Sequence, residues 1–137
     1  MVHGFTCGAF DLLHPGHCHL LTKAKSQCDF LIVGLHTDPT IDRQEKNKPI
    51  QTTFERYTQL QNLKSVDLII PYDTERDLFN LLATFNIQKR FIGSDYQYKN
   101  ITGQELCEYL DIKVVYIPRL HTWSSSELRR RLNDDES

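Results

Sequence analysis

Five short apolar runs, each parted from the next by a segment of helical periodicity, leave few folds open to this chain. The runs cover residues 2–7, 30–35, 68–71, 90–92 and 113–117. Helical patterns fill residues 16–27, 53–64, 75–85 and 103–110, and a last helix is expected over 125–132. Strands that alternate with helices are joined by crossovers, which make neighbouring strands parallel. Few charges interrupt the runs, as expected when both faces of a sheet are covered.

The expected fold class is therefore α/β, a single Rossmann-like domain with a five-stranded parallel sheet and helices on both faces. Its 137 residues suffice for one sizeable core. The domain is expected to span residues 1–132, with 133–137 as an acidic C-terminal tail. Helix starts point the same way. Thr52 precedes Glu55 by three residues, Thr102 precedes Glu105, and Ser124 precedes Glu127, each a capping-box spacing. Leu60, Leu63 and Val66, then Leu78, Leu81, Leu82 and Phe85, form apolar stripes at helical intervals.

Sixteen basic against eighteen acidic side chains give a net charge of −2, so no global field favours nucleic acid or a membrane surface. The Arg129-Arg130-Arg131 run reads as a solvated helix face. No apolar run approaches the roughly 20 residues that span a bilayer, and no secretory signal pattern opens the sequence. Cys7, Cys18, Cys28 and Cys107 form no CxxC pair, which suits reduced thiols and a cytoplasmic location.

The first run leads straight into Gly8-Ala9-Phe10-Asp11-Leu12-Leu13-His14-Pro15-Gly16-His17. Ligands of open parallel sheets bind beyond the carboxyl ends of the strands, where strand order reverses. Gly8 permits close approach of backbone to ligand. Gly16 opens a helix whose free N–H groups attract an anion. His14 and His17 leave the same turn and can donate to phosphate oxygens, as neutral tautomers or protonated. A metal site from His14, His17, Cys18 and His19 is the competing reading, but no distant Cys/His pair completes a ligand set.

A second anion site is expected near the C-terminus, where Arg119 leaves a strand end and Ser124, Ser125 and Ser126 begin a helix. The intervening polar segment, residues 38–52, carries Arg43, Lys46 and Lys48 and is long for a mere connection.

These segments together resemble the HxGH nucleotidylyltransferase superfamily, and nearly the whole chain resembles its glycerol-3-phosphate cytidylyltransferases. Thr37-Asp38, Glu55-Arg56, Val66-Asp67, Gly93-Ser94-Asp95-Tyr96 and Pro118-Arg119 followed by Ser124-Ser125-Ser126 extend the match. The resemblance implies transfer of CMP from CTP to a small phosphorylated alcohol, glycerol-3-phosphate first, with release of pyrophosphate. His14, His17, Lys46 and Arg119 would be catalytic. Gly8, Ala9, Phe10, Asp11, His14, Gly16, His17, Gly93, Asp95, Arg119, Ser124, Ser125 and Ser126 would bind nucleotide; Asp11, Asp38, Lys46 and Lys48 would bind the acceptor. Mg²⁺ would accompany the triphosphate, largely through water and with few dedicated protein ligands, and a homodimer is implied.

The rival enzyme reading is an adenylyltransferase acting on a heptose-type sugar phosphate, whose family shares the N-terminal motif and a Gly-Asp-Tyr-like turn. A nucleotide-binding regulator without turnover is the rival from another class. Ala9 departs from a hydroxyl or thiol residue common in the family. Lys64-Ser65-Val66-Asp67-Leu68 departs from a run that supports dimer and site. Leu120-His121-Thr122-Trp123 replaces the family's Thr-Glu-Gly-Ile and alters the triphosphate edge.

Overall fold

The computed structural model describes residues 1–96, 99–119 and 123–135. Five parallel strands form one sheet: β1 (His3–Gly8), β2 (Phe30–His36), β3 (Leu68–Tyr72), β4 (Lys89–Gly93) and β5 (Lys113–Ile117). Their spatial order is β3-β2-β1-β4-β5. Among the described residues the α-helices are α1 (Pro15–Lys25), α2 (Thr53–Gln61), α3 (Glu75–Thr84), α4 (Gln104–Tyr109) and α5 (Ser125–Asp135). A single turn of 3-10 helix at Pro39–Ile41 and another at Ser94–Tyr96 complete the regular structure. The α/β class and parallel sheet expected from the sequence are what the chain adopts.

The chain lays down β2 and β3 on one side of β1, then crosses over to place β4 and β5 on the other. The order reverses between β1 and β4, which opens a crevice at their carboxyl ends. Because side chains alternate along a strand, each face acquires its own core. Leu31, Val33, Leu35, Ile69, Phe91 and Ile117 pack with Leu21 and Ala24 of α1 and Leu60 of α2. Phe5, Ile32 and Tyr72 pack on the opposite face with Leu78 and Leu82 of α3 and Cys107 of α4.

The helix starts match expectation in part. Thr52 and Glu55 form the expected reciprocal box at α2. At α4 the N-cap is Gly103, at φ +84° and without a side-chain cap. Thr102 faces elsewhere there, its hydroxyl and carbonyl accepting from Arg43 and Arg90. At α5 only half the box forms: Ser124 Oγ accepts from Glu127 N at 3.0 Å, while the Glu127 carboxylate holds Arg130. A box that the spacing rule did not single out joins Thr74 and Asp77 at α3. Helix α5 also runs to Asp135, three residues past the expected end. Asp67, in the segment that departs from the family's dimer-forming run, is held within the chain by Lys25 Nζ and Leu31 N.

Arg56 of α2 is 1% exposed and has no carboxylate partner among the described residues. Its guanidinium donates to five backbone carbonyls: Gln51 and Thr52 of its own helix start, Ala9 after β1, and His36 and Thr37 at the end of β2. Burial lowers its pKa from the usual guanidinium value, yet it stays charged. Carbonyls at strand ends lack ladder partners, and this one side chain satisfies three of them. Arg56→Ala would leave buried acceptors unpaired and remove packed volume, with an expected loss of about 3–5 kcal/mol. Urea unfolding followed by circular dichroism measures it.

Candidate active site

The loop after β1 is an unusual piece of backbone. Phe10 and Leu12, neither a glycine, sit at φ +49° and +51°, a conformation that persists only when surroundings impose it. Asp11 between them does so. Its two carboxylate oxygens accept from the backbone N–H groups of Ile50 and Gln51, each at 2.9 Å, and Arg129 of α5 pairs with it at 2.9 Å. Its carbonyl accepts from Ser125 Oγ at 2.7 Å, and Leu12 N donates to Gln51 Oε1 at 2.8 Å. One buried carboxylate thus ties three distant segments together.

The held loop delivers His14 to the N-cap of α1. His14 Nδ1 accepts from Gly16 N at 3.0 Å, and His17 Nδ1 accepts from His14 N at 3.3 Å. This is a capping box built from imidazoles instead of hydroxyl and carboxylate. It fixes the tautomers, because a nitrogen that accepts carries no proton. Each ring therefore has its N–H at Nε2. The rings stack with centroids 3.8 Å apart, and burial, with His14 adding to it, depresses the His17 pKa to about 3. His17 is a neutral hydrogen-bond donor at physiological pH, which decides between the two protonation states that the sequence left open.

Both histidines border a cavity of about 600 Å³ at the carboxyl end of the sheet. Gly8, Ala9, Gly16, Lys46, Gly93, Asp95, Arg119 and Ser124 also line it. The two ends of the chain thus meet at one cavity. Arg119 is oriented by Asp95 at 2.8 Å and by the Trp123 carbonyl at 2.9 Å. Its backbone N–H donates to Ser94 Oγ at 3.2 Å. Residues 120–122 of the altered triphosphate edge lie outside the described residues, whereas Trp123 borders the cavity, 43% exposed.

Several expected site residues are placed elsewhere. Phe10 packs into the core. Asp11 is taken up by the loop bonds above, and Ser125 by the Asp11 carbonyl, so neither borders the cavity. Asp38 caps the Pro39–Ile41 turn through Thr40, whose hydrogen bonds hold its carboxyl below the usual range. Lys48 lies beside Asp38 at 3.9 Å on the outer side of the loop. Ser126 is on the exposed side of α5. A Cβ at Gly8 would meet only the Phe10 ring at 3.5 Å, an ordinary contact, so the fold itself does not demand glycine there.

Other residues that line the cavity were not assigned to a site from the sequence: Arg43, His36, Tyr72, Glu75, Arg90 and Thr102. Arg43 pairs with Glu75 at 2.6 Å across from the 38–52 loop. Among the described residues, no group of three or more His, Cys, Asp or Glu comes together in a way that could hold a metal.

A reversed parallel sheet, a helix start with two stacked histidines at the cavity and a second helix start with an arginine beside it define a nucleotidyltransferase domain. The chain belongs to the cytidylyltransferase-like family, which matches residues 5–131. It is 39% identical over 131 residues to the bifunctional protein HldE of Caulobacter sp. (strain K31), covering 95% of this chain and 27% of that one. The HldE of Nitrobacter winogradskyi is 37% identical over 129 residues, 93% of this chain and 26% of that one. The chain thus spans about a quarter of the length of these curated relatives. The lipopolysaccharide core biosynthesis protein of Thermoplasma volcanium superposes with TM-score 0.70 at 28% identity, over 90% of this chain and 99% of that one. The pantothenate synthetase of Thermus thermophilus shares the fold at TM-score 0.65 and 16% identity, over 96% of this chain and 64% of that one. No helix among the described residues is long and apolar enough to cross a membrane.

Two outcomes are expected of the site. The unfolded chain binds a proton at His17 below pH 6.5, whereas the folded chain refuses it down to about pH 3. Stability should then fall as pH drops between those values, by up to about 1.4 kcal/mol per pH unit from this group. Urea unfolding of wild type and His17→Asn across that range should show a shallower slope for the variant. Gly93 has nothing within 4 Å of a Cβ built on it, so the methyl of Gly93→Ala would enter open cavity. The melting temperature should be unchanged, while nucleoside triphosphate affinity, measured calorimetrically, should drop about tenfold from the new steric contact.

Proposed function

We propose that the chain transfers a nucleotidyl group from a nucleoside triphosphate to a sugar phosphate, with ATP and a heptose-type phosphate as first choice. The observation that carries the reading is the imidazole capping box, which fixes the tautomers of two histidines at a helix start that borders the crevice. An acceptor phosphate oxygen attacks the α-phosphorus in line. A new P–O bond forms, the bond from the α-phosphorus to the bridging oxygen breaks, and pyrophosphate leaves with that electron pair. No protein nucleophile takes part. His14 and His17 stabilise charge on the phosphates, Arg119 and the start of α5 hold the departing pyrophosphate, and Lys46 approaches from the long loop. Such catalysis is positioning and charge stabilisation.

Mg²⁺ fits this arrangement as a companion of the triphosphate. The cavity carboxylates Asp95 and Glu75 are already engaged by Arg119 and Arg43, so the metal would be held by phosphate oxygens and water and would neutralise their charge.

The choice of a sugar phosphate is supported by the relatives. A lipopolysaccharide core is assembled from activated sugars, and the Thermoplasma protein carries that role in its name. The HldE proteins match over nearly all of this chain. Gly93-Ser94-Asp95-Tyr96 also agrees with the Gly-Asp-Tyr-like turn of heptose-phosphate adenylyltransferases. Transfer from CTP to glycerol-3-phosphate is the competing specificity within the same chemistry.

Pyrophosphate release measured with ATP and CTP, each against a panel of sugar phosphates and phosphoalcohols, decides between them. Turnover with ATP and a sugar phosphate is expected; turnover with CTP and a phosphoalcohol alone would reverse the assignment. His17→Ala should lower kcat about 10²- to 10³-fold on the active pair.

A further inference from the structure

The cavity wall nearest α3 and α4 contains a cation with no role in the reaction as described. Arg90 leaves β4 on that face, borders the cavity and is 4% exposed. Nη1 donates to the Thr102 carbonyl at 2.5 Å and lies 3.8 Å from Cys107 Sγ, and Nη2 lies 3.7 Å from Cys7 Sγ. Among the described residues, Nε has no hydrogen-bond partner. Among the described residues, no carboxylate pairs with this guanidinium, whereas Arg43 and Arg119 each have one. His36 Nε2, on the neighbouring wall beside Tyr72, is a second buried polar atom without a partner.

A guanidinium keeps its charge in any environment the fold provides. Burying it against thiols and one carbonyl is strongly unfavourable unless an anion completes its surroundings. In-line displacement says which anion fits. On the proposed reading the departing pyrophosphate is held at the starts of α1 and α5, so the nucleophile must approach the α-phosphorus from the side away from it. Arg90 stands on the α3/α4 wall, on the other face of the sheet from α1.

We propose that Arg90 binds the phosphate monoester of the acceptor and so sets where the second substrate enters. The assignment rests on the nucleotidyl-transfer reading. Arg90→Met retains length and apolar packing, and removing an uncompensated buried charge need not destabilise the fold. The acceptor KM should rise about tenfold or more, the loss of one charge-assisted hydrogen bond, with the nucleotide KM within about twofold of wild type. Arg90→Lys should recover part of the loss. An unchanged acceptor KM, or both KM values rising together, would overturn the assignment.

A second readout needs no turnover. Cys7 beside Arg90 can be alkylated with iodoacetamide and followed by peptide mass spectrometry, with Cys18 as the internal reference. Millimolar inorganic phosphate should slow modification of Cys7 several-fold in the wild type and have no effect in Arg90→Met. Equal slowing in both proteins, or none in either, would sink the proposal. Protection confined to the wild type, in a protein that turns over no substrate pair, would uphold the Arg90 site and reject the proposed reaction.

Discussion

The cavity exists because Arg56 holds its rim. Parallel strands end in carbonyls that point along the sheet without ladder partners, and here those ends must stay apart to leave a crevice. A guanidinium has five N–H groups in a fixed plane, and Arg56 spreads them over the exits of β1 and β2 and the first turn of α2. A carboxylate partner would have neutralised it without bracing anything. With backbone carbonyls as its main acceptors, one residue sets the spacing of two strand exits and the angle of the helix that follows the long loop.

Asp11 plays the complementary part on the other side of the same rim. It draws N–H groups from residues 50 and 51 and the guanidinium of Arg129 onto one carboxylate. The left-handed backbone at Phe10 and Leu12 is unfavourable alone, by about 1–2 kcal/mol per residue, and is offset by these bonds. The two halves of the proposed anion site come from residues more than a hundred positions apart, and Asp11 joins them through Arg129 and Ser125. The loop that presents the histidines and the helix that faces them are therefore one mechanical unit.

Much of this was legible in the residue pattern. Every strand and helix was placed to within a few residues, because apolar period and Gly, Pro and Thr punctuation act locally. The histidine pair was legible because it follows a strand end and opens a helix. Failures of the reading occurred where distant partners decide. Thr102 has the spacing of a cap, but Gly103 adopts φ +84° and two arginines from elsewhere claim Thr102. Asp11 carries the look of a ligand-binding carboxylate within its motif, and only the loop at 50–51 and the helix at 129 reveal its structural duty. Arg90 opens what reads as an apolar strand, and nothing adjacent in sequence says that its head reaches a cavity wall. Arg56 sat inside a recognisable pair with Glu55, yet its carbonyl partners lie largely on two other elements.

The imidazole cap has a consequence for the kind of bond this domain can break. Each ring has its Nδ1 committed to a backbone N–H, and His17 stays uncharged far below neutrality. Such a neutral ring donates a hydrogen bond through its Nε2–H but is far too weak an acid to surrender that proton. A departing alkoxide would need that proton to leave; a departing pyrophosphate does not, since it is stable with its charge. On the proposed reaction, the way a single helix begins thus suits the site to leaving groups that can go as anions.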